Sequence, residues 1–196
     1  MGIVKTGFRL FIITLTAAAA LGAVNYITEP MIDENVREAR EAAMEEVLTG
    51  IDDPGFSKEF TTGNRYGVVS YYIATKGSSP NPVGYVVYVD RQGDQGGITV
   101  CVGLDAGGVI LGVKLVSHEE TPGLGANAAR PAFLSQFTGR EGPFNVVKTR
   151  SANPRDIVAV TAATNTSRAV SGAVNDAWVF YHEYLSWNPG KGVGEP

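Results

Sequence analysis

Residues 10–28, LFIITLTAAAALGAVNYIT, carry no charged side chain. As a helix rising about 1.5 Å per residue, these 19 residues span roughly 28 Å, the hydrocarbon thickness of a bilayer. Few other features restrict a chain so much, because apolar length of this kind predicts one membrane crossing. Lys5 and Arg9 precede the run, and Glu29, Asp33 and Glu34 follow it. The positive-inside bias then places the N-terminus in the cytoplasm and everything after Thr28 outside. A cleaved signal peptide is the alternative, since the alanines at 17–20 offer small residues for a cleavage site. Against it stand the length of the run and the lack of a cysteine directly after it to take a lipid. A buried helix of a soluble protein would leave the charge asymmetry unexplained.

Charge along the rest of the chain is uneven. Residues 29–60 hold ten acids against Arg37, Arg40 and Lys58, whereas residues 61–196 hold eleven bases against ten acids. The net charge of −4 lacks the basic footprint of a nucleic-acid binder, so nucleic acid is excluded as a partner. With 24 Gly and 10 Pro in 196 residues the composition is not of a low-complexity chain, and the length suits one core. The single cysteine, Cys101, can form neither an intrachain disulfide nor a thiolate cluster, and no metal site is expected. Any redox chemistry must therefore come from a bound cofactor.

The pattern after the membrane run predicts an α+β domain. Ile32, Val36, Ala39, Ala43, Val47 and Leu48 recur at spacings close to helical, with Pro30 suited to a first turn, and predict an amphipathic acidic helix ending at Gly50. Residues 66–75 and 84–90 flank a Gly-Ser-Ser-Pro-Asn-Pro loop, and residues 98–104 and 109–116 flank Asp105-Ala-Gly-Gly. These are two hairpins and imply an antiparallel sheet. A short helix is expected within 126–137, a short strand at 158–160, and a last helix over 167–185 with Val170, Ala173, Val174, Ala177, Trp178, Tyr181 and Leu185 on one face. The expected architecture is an N-terminal transmembrane helix followed by one extracytoplasmic domain with an antiparallel sheet and flanking helices. Its divisions are 1–28 for the cytoplasmic end and membrane helix, 29–50 for the acidic helix, 51–187 for the main domain and 188–196 for a flexible tail.

Hydrolytic and phosphate-loop motifs, namely GxxxxGK[ST], GxSxG, HExxH and the EF-hand loop, do not occur. Two segments remain that can carry chemistry. The first is His118-Glu119-Glu120-Thr121-Pro122-Gly123-Leu124-Gly125, which follows an apolar strand. Its Thr-Pro-Gly turn and second glycine bring main-chain amides together under little side-chain bulk, which suits a flat ligand; an ordinary strand-to-helix connection is the alternative. The second is Thr161-Ala162-Ala163-Thr164-Asn165-Thr166-Ser167, just before the last helix. Small residues, several hydroxyls and a helix N-terminus favour an anion such as phosphate; equally, Thr166 or Ser167 serves as the N-cap of that helix. His182 falls on the last helix as a surface or boundary residue.

In these segments the chain resembles the FMN-binding domain of the G-type subunit of the Rnf electron-transport complex, shared with the C-type subunit of the sodium-translocating NADH:quinone reductase. The family's flavinylation motif, Ser/Thr-Gly-Ala-Thr-x-Ser/Thr, is similar to Thr161-Ala162-Ala163-Thr164-Asn165-Thr166, with Ala162 in place of its glycine and Val158 where an acid is common. Gly96-Gly-Ile98, Val102-Gly-Leu-Asp105, Gly108-Val-Ile-Leu-Gly-Val113 and His118-Glu-Glu-Thr-Pro-Gly-Leu-Gly125 are similar to its strand-turn-strand and HxETPGLG block. The likeness runs over residues 1–186, and the chain is short like the Rnf member of the family.

The resemblance implies an electron-carrying subunit of an ion-translocating ferredoxin:NAD oxidoreductase, inactive as a catalyst when isolated. FMN is implied as a covalent phosphoester on Thr166. Thr161, Ala163, Thr164 and Ser167 would hold the phosphate, and the loop of His118, Glu120, Thr121, Pro122, Gly123, Leu124 and Gly125 would lie beside the isoalloxazine ring. Lys148 or Arg168 would neutralise phosphate charge. The partners implied are the other membrane subunits, a flavin transferase for maturation and the bilayer of the cell (inner) membrane. The alternatives are an FMN subunit of another membrane redox chain, such as the quinone reductase, and a cofactor-free tethered scaffold.

Overall fold

In a computed structural model that describes residues 2–62, 66–77, 79, 81–150 and 152–187, the first element is one long helix, α1 (Gly2–Val47). The chain divides into two compact units, Met1–Ala39 and Arg40–Pro196. Within the first unit, the apolar side chains Leu10, Phe11, Ile13 and Leu15 are exposed, and the helix is long and apolar enough to cross a membrane. Its threonine hydroxyls are satisfied without water: Thr14 and Thr16 donate to the carbonyls of Leu10 and Ile12 at 3.0 and 2.8 Å, and Thr28 donates to that of Val24 at 3.0 Å. Such back-bonding lets a hydroxyl enter hydrocarbon. Pro30, expected to open a separate helix, lies inside α1. Proline fits the helical φ and removes a single N–H bond, so the helix continues through it with one bond missing.

The second unit is built on strand alternation. β3 (Val68–Lys76) pairs antiparallel with β4 (Pro82–Gln92), β4 with β5 (Gly97–Asp105), and β5 with β6 (Ile110–His118). Two short strands, β1 (Pro54–Phe56) and β2 (Phe60–Thr61), both pair with β3, completing a sheet of order β1-β3-β4-β5-β6. The expected antiparallel hairpins are thus present. At the second, Asp105 Oδ1 accepts from the amides of Gly107 and Val109 at 2.8 and 2.9 Å, and Gly108 takes φ +89°, a conformation that favours glycine.

Both faces of the sheet are covered. Tyr85, Val87 and Val89 of β4 enter one cluster, with Val170, Ala173, Val174, Ala177 and Phe180 of the last helix. Val86 and Tyr88 point the other way and join Ala43, Val47 and Leu48 at the end of α1. That face also buries Cys101, whose thiol burial pushes up to about 12. A thiol so held stays protonated at neutral pH.

Three connecting elements differ from expectation. The helix expected within 126–137 is a 3₁₀ turn at Gly125–Ala129 and a single α turn, α2 (Pro131–Leu134). Pro131 holds Arg130 extended, at ψ 144°, and so separates the two. The strand expected at 158–160 is β8 (Asp156–Val158), paired in parallel with β7 (Asn145–Val147). Ser167 Oγ accepts the Val160 amide at 3.0 Å and so takes that residue out of the ladder. The last helix, α3 (Thr164–Phe180), starts three residues earlier than expected and passes into a π turn at Tyr181–Leu185. The expected tail at 188–196 lies outside the described residues.

Candidate functional site

The sequence brings the two singled-out segments to one point although they are far apart in the chain. Glu120, just past β6, and Thr166, in the first turn of α3, are both buried, at 4% and 1% exposure. Thr166 Oγ1 donates a hydrogen bond to Glu120 Oε2 at 2.7 Å. The other carboxylate oxygen, Oε1, accepts from the main-chain amides of Asp94 at 2.6 Å and Gln95 at 3.3 Å. Glu120 therefore joins three segments: the 93–96 turn, its own loop and the start of α3.

Glycines make this junction possible. A Cβ on Gly93 would collide with Glu120 Oε1, and one on Gly125 would collide with Oε2 and lie 2.8 Å from Thr166 Oγ1. Over the junction Asn165 Nδ2 donates to Asp94 Oδ1 at 2.8 Å. That bond and a second from the Gln95 side-chain amide hold the Asp94 carboxyl below its ordinary pKa.

Thr166 does not cap α3. Ala163 occupies the N-cap and provides no side-chain bond, and the first turn holds no acid. Ser167 Oγ instead donates to the Ala163 carbonyl at 2.8 Å. The N-terminal amides of a 17-residue helix are thus left uncapped by side chains, an arrangement suited to an anion. Residues at this helix start line a shallow cleft of about 280 Å³ formed by Asp94, Ala162, Ala163, Thr164 and Asn165. Ala162 adopts φ +61°, a left-handed conformation that glycine takes at lower cost.

On the other side of the same loop lies a larger cleft of about 640 Å³. Arg130, Phe133, Gln136 and Arg150 line it together with residues 158–161, including Thr161. Leu124 stands nearby in sequence on an exposed turn and is 46% exposed. The turn is held by Asn127 Nδ2, which donates to the Gly123 carbonyl at 2.7 Å, and by the Leu124 amide bonded to the Thr121 carbonyl at 3.1 Å.

Not every residue singled out from sequence converges here. Glu120, Gly125 and Thr166 meet, while Ala163, Thr164 and Thr161 line the two adjoining clefts. Thr121, Pro122, Gly123 and Leu124 form the exposed turn. His118 instead lines a separate cleft of about 510 Å³ with Asp90, Arg91, Thr99 and Glu119, and its Nδ1 is buried without a partner. Lys148 and Arg168 are exposed, and neither lines the clefts on either side of the 160–165 loop. Sequence reading missed Asp94, Asn165, Arg130 and Arg150. Only the Gly93-Asp-Gln-Gly96 turn gave a local hint of the first.

The fold and this junction define a class. The family described as "FMN-binding domain" matches residues 93–179, from the glycine turn to the end of α3, and so contains Glu120 and Thr166. The G-type subunit of the proton-translocating ferredoxin:NAD(+) oxidoreductase complex of Clostridium ljungdahlii is 32% identical over 169 residues, 86% of each chain. Its counterpart in the Na(+)-translocating complex of Acetobacterium woodii is 33% identical over 184 residues, 87% of each chain. The chain belongs to the family of G-type subunits of ion-translocating ferredoxin:NAD(+) oxidoreductase complexes. The crystal structure of the C-type subunit of the Na(+)-translocating NADH-quinone reductase from Parabacteroides distasonis superposes with a TM-score of 0.51 at 17% identity, over 74% of this chain and 94% of that one, and shares the fold.

Proposed function

We propose that this chain is the electron-carrying FMN subunit of a membrane-bound ferredoxin:NAD oxidoreductase that moves ions, with FMN joined through its phosphate to Thr166 Oγ1. The observation that carries the reading is the place of Thr166: first turn of an uncapped helix, directly after Thr164 and Asn165, which line a cleft. Amides at the start of α3 and the hydroxyl of Thr164 are placed to hold a phosphate. Arg130 and Arg150, not Lys148, supply positive charge beside Thr161. The exposed Leu124 turn offers an apolar surface and main-chain groups to a flat ring, with Thr121, Pro122 and Gly123 setting its shape.

FMN accepts two electrons and passes them singly, chemistry that the buried Cys101 cannot supply. The protein's part is to hold the flavin, set its surroundings and keep it from diffusing away. The isolated chain then catalyses no net reaction, and its partners are the other membrane subunits and a flavin transferase. The uncharged run in α1 crosses the inner membrane once with its N-terminus in the cytoplasm, leaving the domain outside. The two relatives are named for different ions, and an ion-translocating ferredoxin:NAD(+) oxidoreductase complex is what their names share.

Intact mass tests the attachment. Full-length chain co-expressed with a flavin transferase gains one FMN less one water, stays fluorescent under denaturing electrophoresis and maps to Thr166. An unmodified chain contradicts the proposal and favours a scaffold. Protease added to spheroplasts should cut after Thr28 and leave Lys5 protected; release by carbonate washing with the N-terminal residues missing would show a cleaved signal instead.

A further inference from the structure

Among the described residues Glu120 is the only buried acid, and its two oxygens are differently engaged. Oε1 is held by the amides of Asp94 and Gln95, which fixes the plane of the carboxylate. Oε2 receives the Thr166 hydroxyl at 2.7 Å. A carboxylate held rigidly at hydrogen-bond distance from a hydroxyl is the geometry of a general base paired with an oxygen nucleophile. A role confined to packing would not need it, since Thr166 could donate to a main-chain carbonyl of its own helix, as Ser167 does to that of Ala163.

We infer that Glu120 is a catalytic residue in the chain's own flavinylation, the acceptor of the Thr166 proton as the phosphoester forms. The inference rests on Thr166 being the attachment residue. An ester of a hydroxyl and a phosphate forms readily only from an activated phosphate, so the donor is a flavin dinucleotide, whose two phosphates share an anhydride oxygen. The bond from Thr166 Oγ1 to the phosphorus on the flavin side forms. The bond from that phosphorus to the anhydride oxygen breaks, and the nucleoside monophosphate leaves with its electron pair. The hydroxyl proton passes to Glu120 Oε2 and then to water. No oxidation or reduction is involved.

The acceptor is covered before the step, since Thr166 is 1% exposed. Its cover includes the 93–96 turn, tied to Asn165 by one side-chain bond and to Glu120 by two main-chain amides, so the step requires local opening around Thr166.

The test is the rate of FMN incorporation into full-length chain from a flavin dinucleotide and a flavin transferase, read by intact mass and peptide mapping. Glu120→Gln keeps the shape and the oxygen that faces Asp94 and Gln95 but cannot take a proton. It should slow incorporation about 100-fold or more, the span usual for a general base, while its melting temperature stays close to wild type. Incorporation on Thr166 at the wild-type rate overturns the inference and leaves the attachment reading intact. Wild-type chain that takes up no flavin, or takes it elsewhere, overturns both. Should the glutamine variant fail to fold, Glu120→Asp decides: with its carboxylate one methylene short it should be at least about tenfold slower, and a wild-type rate again refutes the role.

Discussion

The face of the sheet that receives the end of α1 is closed by backbone approach, whereas the face that receives α3 ends in polar groups and open clefts. On the first, Gly103 and Gly112 are register partners on β5 and β6, and the carbonyl of Val47 sits against both. A Cβ on Gly112 would lie 2.7 Å from that oxygen, and one on Gly103 would collide with it. Around them lie the apolar side chains of Ala43, Val47, Leu48 and Val86, with the buried Cys101. On the second face the apolar packing of Val170 to Phe180 gives way, at the N-terminal turn of α3, to Thr166, Glu120 and Asp94. One face contributes rigidity, and the other uses that rigidity to hold a hydroxyl in place. Damage to each should therefore read out differently.

Thr166→Ala should show the largest effect: complete loss of covalent FMN by intact mass, with Thr166→Ser retaining it. Glu120 Oε2 would lose its partner, so the unmodified variant should also be less stable by about 1–3 kcal/mol. Flavin still attached in the alanine variant would place the acceptor elsewhere, with Thr161, Thr164 and Ser167 the first positions to map.

Gly103→Ala breaks the other face. Forcing a methyl against the Val47 carbonyl should cost about 3 kcal/mol, the upper end of overpacking, measured as a lowered denaturation midpoint. Molecules that remain folded should still accept FMN on Thr166. Loss of flavin without loss of stability would show that the two faces are not separable.

A smaller effect, of opposite sign, is expected at Ala162. Its φ of +61° is strained for alanine, so Ala162→Gly should stabilise the protein by about 1 kcal/mol and leave flavinylation in place. An unchanged or lower melting temperature would argue that the loop gains more from a restricted unfolded chain than from relief of strain.

The smallest concerns pH. Hydrogen bonds from Asn165, then Gln95, hold the folded Asp94 carboxyl below its ordinary range. A depressed value means the bond to Asn165 is fully present above the unfolded pKa of about 3.9 and is lost as pH falls through the lower folded value. The Asn165 side-chain amide signals in NMR should therefore shift in that acid window and stay constant from about pH 5 to 7. A shift centred at neutral pH would assign the change to another group.

Much of this molecule is legible in short stretches of sequence. The uncharged run at 10–28 marks a helix long and apolar enough to cross a membrane, and period-two apolar residues with Asp105-Ala-Gly-Gly between them mark a hairpin. The face Val170, Ala173, Val174 and Ala177 does the same for α3, because burial on one side of a helix repeats every three to four residues. The candidate hydroxyl, Thr166, comes from the likeness of Thr161–Thr166 to the flavinylation motif, since the spacing alone fits an N-cap as well.

What needed the tertiary structure lies between distant residues. Glu120 and Thr166 are 46 positions apart, and Asn165 and Asp94 are 71. No periodicity links such pairs; the sheet order and the seat of α3 upon it bring them together. The parallel pairing of β7 and β8, the helical course through Pro30 and the arginines at 130 and 150 are of the same kind. Local pattern reports which face of a segment is apolar, since that depends only on backbone geometry. Which polar groups are buried against one another depends on how whole elements pack, and it is there that a glutamate in one loop acquires a threonine to hold.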